Sequence, residues 1–176
     1  MQLKSGTGMD ERPKIAIGGI KFSEELVHLR LSDSKAAAQL LQRASAGSIN
    51  FPFLCHSSLR HPAETTFCVQ REDFGRLQQA ADSAGLSLDL FTVTPGVGTI
   101  TVFPHRNSLA LLGLIITLFA REGYPIHSLS SSISVIAVNT SYALLDTIAM
   151  SLQSWLQLPD NHAPFRQTVR LEQLSG

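Results

Sequence analysis

The stretch from Leu109 to Ala120 restricts this chain more than any other. It reads Leu109-Ala110-Leu111-Leu112-Gly113-Leu114-Ile115-Ile116-Thr117-Leu118-Phe119-Ala120, and it is apolar almost all round. It is too short to cross a bilayer, which takes about 20 residues, so it predicts a helix buried against other elements. A polar break, Pro104 to Ser108, stands before it, and Gly123 stands where a helix C-cap is expected. Val97 to Phe103 alternates in front of it and predicts a strand. Behind it, Pro125 to Leu129 and Ser132 to Val138 predict two more strands, and a second helix is expected from Ser141 to Leu156 with Thr140 as its cap. The order is β-α-β-β-α, the beginning of a split βαβ plan.

The same order precedes it. Leu26 to Leu31 alternates as a strand. Lys35 to Ala46 predicts a helix whose Ala37, Leu40, Leu41 and Ala44 share a face, with Gly47 at its end. Ile49 to Ser57 and Thr65 to Gln70 predict strands, the first carrying Phe51, Phe53 and Cys55 on one face. Arg71 to Ala84 predicts a helix with Gly85 behind it. Leu86 to Val93 alternates as the last strand, and Thr94-Pro95-Gly96 predicts a break between the two units. His28 falls on the face of its strand opposite Val27 and Leu29, and a partly exposed histidine is expected there. The two halves share the order of their elements but almost no letters.

The fold class is therefore α+β: two tandem ferredoxin-like βαββαβ modules, with antiparallel sheets and helices on one face. The expected divisions are a flexible arm over 1–13, a hairpin over 14–25, a first module over 26–95, a second over 96–158 and a tail over 159–176. Two segments compete for the fourth strand of the second module. One is Lys14–Phe22, returning from the N-terminus; the other is Phe165–Leu171 in the tail.

Composition excludes several classes. Of 176 residues, 44% are hydrophobic and 16% charged, so the chain can bury a core. The formal net charge is zero, which argues against nucleic acid as a partner and removes the electrostatic case for a membrane surface. Cys55 and Cys68 lack the spacing of a metal pair and read as two small buried residues in a reducing, cytoplasmic compartment. No signal-peptide core is visible near Met1. No Ser/His elbow and no phosphate-cradling motif can be drawn, so neither catalysis nor a cofactor nor a metal is expected.

Thr65-Thr66-Phe67-Cys68-Val69-Gln70-Arg71-Glu72-Asp73-Phe74 resembles the "ISFTVPRxDL" passage of the tandem ACT domains in the regulatory part of aspartate kinases. Gly123-Tyr124-Pro125-Ile126-His127-Ser128-Leu129-Ser130 is similar to that family's "GINIxMIS". Ile133-Ser134-Val135 resembles its next strand, and Gly18-Gly19-Ile20-Lys21-Phe22 its opening hairpin. The resemblance covers most of Lys14 to Leu156 and includes no kinase domain. It implies a non-catalytic regulatory protein that senses a small amino-acid effector at an inter-module interface, as a homodimer, with a separate kinase-type catalytic chain as a possible partner.

By the same resemblance, the effector would lie against the loops that open the first helix of each module and the second strand of a facing module. Those residues are Ser32, Asp33 and Ser34, then Cys55 and His56, then His105, Arg106, Asn107 and Ser108, and finally Ile126, His127 and Ser128. Helix N-termini suit a carboxylate, and a short acid suits an ammonium group. Both loops depart from the family in lacking its Pro-Gly. Asp33 reads equally as an effector contact and as a plain helix cap. An ACT-fold docking module that has lost its effector site is the alternative function.

Overall fold

The computed structural model describes residues 14–58, 63–104, 108–162 and Phe165. Nine strands and four α-helices follow in the order β1 (Ile15–Ala16), β2 (Gly19–Phe22), β3 (Leu26–Leu31), α1 (Ser34–Ala46), β4 (Phe53–Ser57), β5 (Glu64–Gln70), α2 (Phe74–Ser83), β6 (Phe91–Phe103), α3 (Leu109–Glu122), β7 (Ser128–Ser131), β8 (Ile136–Ser141), α4 (Leu145–Gln153) and β9 (Leu156–Gln157). One sheet runs β4-β5-β3-β6-β8-β7, and β2 lies on β6 beside that path. Every pairing in it is antiparallel.

β6 serves both halves. Residues 91–97 pair with β3, completing β4-β5-β3-β6 around α1 and α2. Residues 97–102 pair with β8 on one side and, from Ile100 to Phe103, the strand pairs with β2 on the other. The second half is thus β7-β8-β6-β2 around α3 and α4, with the chain's own N-terminal segment in the fourth position. The first half is a ferredoxin-like βαββαβ unit, and the second has the same sheet order with its fourth strand supplied from earlier in the chain. The remaining strands β1 and β9 form a small parallel pair. Phe165 reaches the same region, accepting a hydrogen bond at its carbonyl from the Phe22 amide at 3.1 Å. The rest of the expected Phe165–Leu171 strand lies outside the described residues.

Alternation sends the apolar side chains to the helices. Val27, Leu29 and Leu31 join Ala37, Leu40, Leu77 and Phe91 in one core, and Ile100, Val102, Ile136 and Val138 join Leu111, Ile115, Phe119 and Ile148 in another. Leu26, Phe53 and Cys68 face the other way and meet Ala137 of β8. The sheet therefore carries a small apolar junction between its two halves on the face away from the helices.

Thr94-Pro95-Gly96, expected as a break, lies inside a continuous strand. Register slips between Leu26 and His28, so that Pro95 and Gly96 together oppose Val27. Proline has no N–H for the ladder, and Gly96 takes φ 68°, which side chains resist. A bulge absorbs both residues without ending the strand. Gly98 allows the last helix to close on it: a Cβ there would lie 2.7 Å from Leu145 Cδ1 and 3.1 Å from Tyr142 Cδ2.

Other boundaries differ from the periodicity. Leu88–Leu90 is a 3-10 turn, and the strand expected from Leu86 starts at Phe91. Phe51 packs toward α1 while Phe53 faces the junction, because Pro52 delays the start of β4. β7 begins at Ser128, not Pro125, and β8 at Ile136. Thr140 does not cap the last helix: it lies within β8, fully buried, and its hydroxyl donates to the Pro125 carbonyl at 2.7 Å. The apolar helix ends on Gly123 in the left-handed conformation, φ 70°. Cys55 is exposed, not buried, since β4 is an edge strand; Cys68 is buried, and burial pushes its thiol up to about 12.

Candidate functional site

Two of the expected site positions are helix caps. The Asp33 carboxylate accepts from the Ala36 amide at 2.9 Å, and the Ser108 hydroxyl from the Leu111 amide at 3.1 Å. Each satisfies a backbone donor that helix geometry leaves free. Ser32 and Ser34 flank the first cap on the surface. His105, Arg106 and Asn107 lie outside the described residues. On the edge strand, His56 Nδ1 is 2.8 Å from Thr65 Oγ1, across the β4–β5 ladder. No described contact joins the Asp33 loop, the Cys55–His56 pair and residues 126–128.

Residues 126–128 meet a different part of the chain. His28, Arg30, Thr92, Thr94, Ile126 and His127 line a cleft of about 200 Å³. His28 and Arg30 come from β3 and pair across the ladder with Thr94 and Thr92 of β6, so four polar side chains share the face away from the first pair of helices. Ile126 and His127 come from the second half and stand over that face. The approach is held by hydrogen bonds from 125–127 to β8: the His127 amide donates to the Asn139 carbonyl at 2.8 Å, beside the Thr140 contact to Pro125. Pro125 has no amide to donate, so this segment follows β8 without being a regular strand.

A buried polar chain crosses the junction beneath the cleft. The Thr99 hydroxyl donates to Asn139 Oδ1, Asn139 Nδ2 donates to Ser128 Oγ at 2.7 Å, and Ser128 Oγ lies 3.1 Å from His28 Nε2. With Oγ accepting from Asn139, the serine hydroxyl can donate to Nε2 or its second lone pair can accept from it, according to the tautomer of His28. The His28 and His127 rings are 5.9 Å apart between centroids.

The electrostatics follow from burial. His28, 4% exposed, has its pKa lowered to about 4 by desolvation first, then by the charges of His127 and Arg30. Desolvation also lowers His127. Arg30 Nε stands 3.6 Å from Glu64, both partly exposed, a weak ion pair. The cleft is lined by one arginine, two histidines that burial disfavours charging and two threonine hydroxyls, with no carboxylate in its lining.

Ile126, His127 and Ser128 are thus the expected residues that the fold gathers at this cleft. His28, Arg30, Thr92 and Thr94 were not expected. His28 lies on the expected face of its strand, opposite Val27 and Leu29, but it is buried rather than partly exposed. The signal was the alternation of β3, which puts His28 and Arg30 together opposite Val27 and Leu29. The expected break leaves Thr94 outside the strand that ends at Val93, whereas the strand runs through it and pairs it with His28.

No protein-family model and no curated protein matches the sequence. Solved structures do match. The ligand-free regulatory subunit of aspartate kinase from Thermus thermophilus aligns over 80% of this chain and 99% of its own, at 12% identity and TM-score 0.68. A structure of aspartokinase alpha and beta subunits aligns over 78% of this chain and 96% of the other, at 17% identity and TM-score 0.65. Aspartate kinase from Synechocystis aligns over 87% of this chain but 29% of its own, at 14% identity and TM-score 0.66. The fold is that of two ferredoxin-like units in tandem. More particularly, it is similar to the regulatory part of aspartate kinases, the family whose motifs the sequence resembles.

Proposed function

We propose that the chain is a non-catalytic regulatory protein of the aspartate-kinase type, in which a small amino acid held between the two modules shifts an equilibrium in their arrangement. The observation that carries this reading is the cleft itself. Its lining comes from β3 and β6 on one side and residues 126–127 on the other, so a ligand there touches both halves and its binding energy depends on how they meet. The likeness to regulatory subunits supports the role, and a separate kinase-type chain is the partner it suggests.

The test is a thermal-shift screen against the twenty amino acids. A ligand that binds only the folded state stabilises it by about 2.7 kcal/mol at a hundred times its dissociation constant. One or two amino acids should raise Tm, and Ile126→Arg, at a 40% exposed position on the cleft, should abolish the response without unfolding the chain. A flat screen at millimolar ligand defeats the sensing reading. It would favour the second one, a docking module without an effector, which the use of Asp33 and Ser108 as helix caps supports.

The same reading makes the protein a homodimer. α3 leaves Leu109 81% and Ile116 46% exposed, and α4 leaves Met150 65% exposed, more apolar surface than helices on one face of a single sheet need to show. Sedimentation at micromolar concentration should give twice the 19.1 kDa chain mass; a stable monomer rules this out.

A further inference from the structure

We infer that the cleft between β3, β6 and residues 126–127 takes the oxyanion end of its ligand, a carboxylate or a phosphate, seated on Arg30 and the rings of His28 and His127. The inference rests on the reading of this cleft as the effector site and names the chemistry of that site.

Three groups that carry or can acquire positive charge converge there from two parts of the fold: Arg30 and His28 from β3, His127 from the segment before β7. Thr92 and Thr94 add hydroxyl donors from β6. The neighbouring elements supply little negative charge. Across the ladder from His28 stands Cys68 of β5, a buried thiol held in its neutral form. Below it are Ser128 and Asn139, both uncharged. Glu64 is the one acid against the group among the described contacts, and it reaches Arg30 Nε from the start of β5.

The two histidines disfavour each other's protonation and are held neutral by burial, so the charge that the empty cleft offers is that of Arg30, only loosely paired with Glu64 at 3.6 Å. A small oxyanion adds the charge that the two rings lack a partner for. It pairs with Arg30, accepts from ring N–H and threonine hydroxyl groups, and makes a protonated imidazole favourable again. Binding is therefore coupled to proton uptake, and affinity rises as pH falls from neutrality. A neutral or cationic ligand end has nothing to neutralise here. The volume of about 200 Å³ admits a carboxylate or phosphate with a short attached chain, not a nucleotide.

The test is the titration of the His28 and His127 ring Cε1–H resonances in the full chain by NMR, with sodium phosphate, with sodium succinate, and with sodium chloride at matched ionic strength. Phosphate or succinate should raise the midpoint of at least one of the two rings by about one pH unit over chloride. Their apparent affinity should strengthen several-fold between pH 7.5 and 5.5. Arg30→Gln and His127→Gln alter partly exposed side chains and should fold, yet lose that difference.

Identical midpoints in all three salts overturn the inference, as does an undiminished phosphate and succinate effect in both variants. If an amino acid raises Tm while both rings stay unmoved, the oxyanion seat is wrong and sensing stands. If the rings respond but the amino-acid screen is flat, sensing fails and the oxyanion chemistry stands.

Discussion

Replacing Asn139 with leucine is expected to cost about 2–4 kcal/mol of folding free energy, the largest effect of any polar substitution at the junction. Asn139 is fully buried in β8. Its amide both accepts from the Thr99 hydroxyl and donates to Ser128 Oγ, which in turn meets His28 from the other half of the sheet. Leucine is close in volume, so the core loses little packing. What remains is a buried threonine hydroxyl without its acceptor and a serine without the donor that orients it. Urea unfolding should show a lower midpoint with an unchanged denaturant slope. The second readout is coupling. Ser128→Ala and Asn139→Leu share one interaction, so the double variant should cost less than the two single ones added, by at least about 0.5 kcal/mol. Strict additivity, or an Asn139→Leu protein within about 0.5 kcal/mol of the parent, would show that the chain of hydrogen bonds contributes nothing across the junction.

The two-unit architecture was legible because it rests on local signals. The apolar run Leu109–Ala120, capped by Ser108 and Gly123, makes one helix wherever it is placed. The alternation of Leu26–Leu31 makes one strand. The misreadings came where a local signal was overruled from a distance. Pro95-Gly96 reads as punctuation in isolation, but β3 on one side of that bulge and β8 and β2 beyond it keep the strand whole. Thr140 has the chemistry of a cap, yet β8 continues past it and its hydroxyl is taken by Pro125.

The site was less legible than the fold for the same reason. Ile126, His127 and Ser128 could be named from a motif. Their β3 partners are residues about a hundred positions away, and only the pairing of β3 with β6 and the packing of the open face bring them within reach. Conversely, Asp33 reads equally as an effector contact and as a cap, Ser108 as an effector contact alone, and in the described structure each caps the helix behind it.

The buried histidine makes stability depend on pH in a direction fixed by its shift. An unfolded chain protonates His28 near 6.5, while in the folded protein the value is lowered to about 4. Between those values the unfolded chain holds more protons than the folded one, so stability falls as pH falls. The loss begins near 6.5 and levels off once pH passes below about 4. The slope is at most about 1.4 kcal/mol per pH unit for one proton, and His127, lowered in the same direction, adds to it. Unfolding free energies measured from pH 7 to pH 5, above the main range of carboxylate titration, should therefore decline. In His28→Gln the decline should be shallower even though the variant is less stable throughout, because glutamine keeps a polar group near Ser128 but takes up no proton. Slope, not offset, separates titration from damage to the core. Equal slopes in the two proteins would mean that His28 titrates normally in the folded chain, and its burial at the junction would then impose no cost on protonation. A reduced slope would place the acid sensitivity of the fold at the contact between the two modules. A ligand that restores a protonated imidazole there would then oppose the loss, so the same group that weakens the empty junction in acid would strengthen the occupied one.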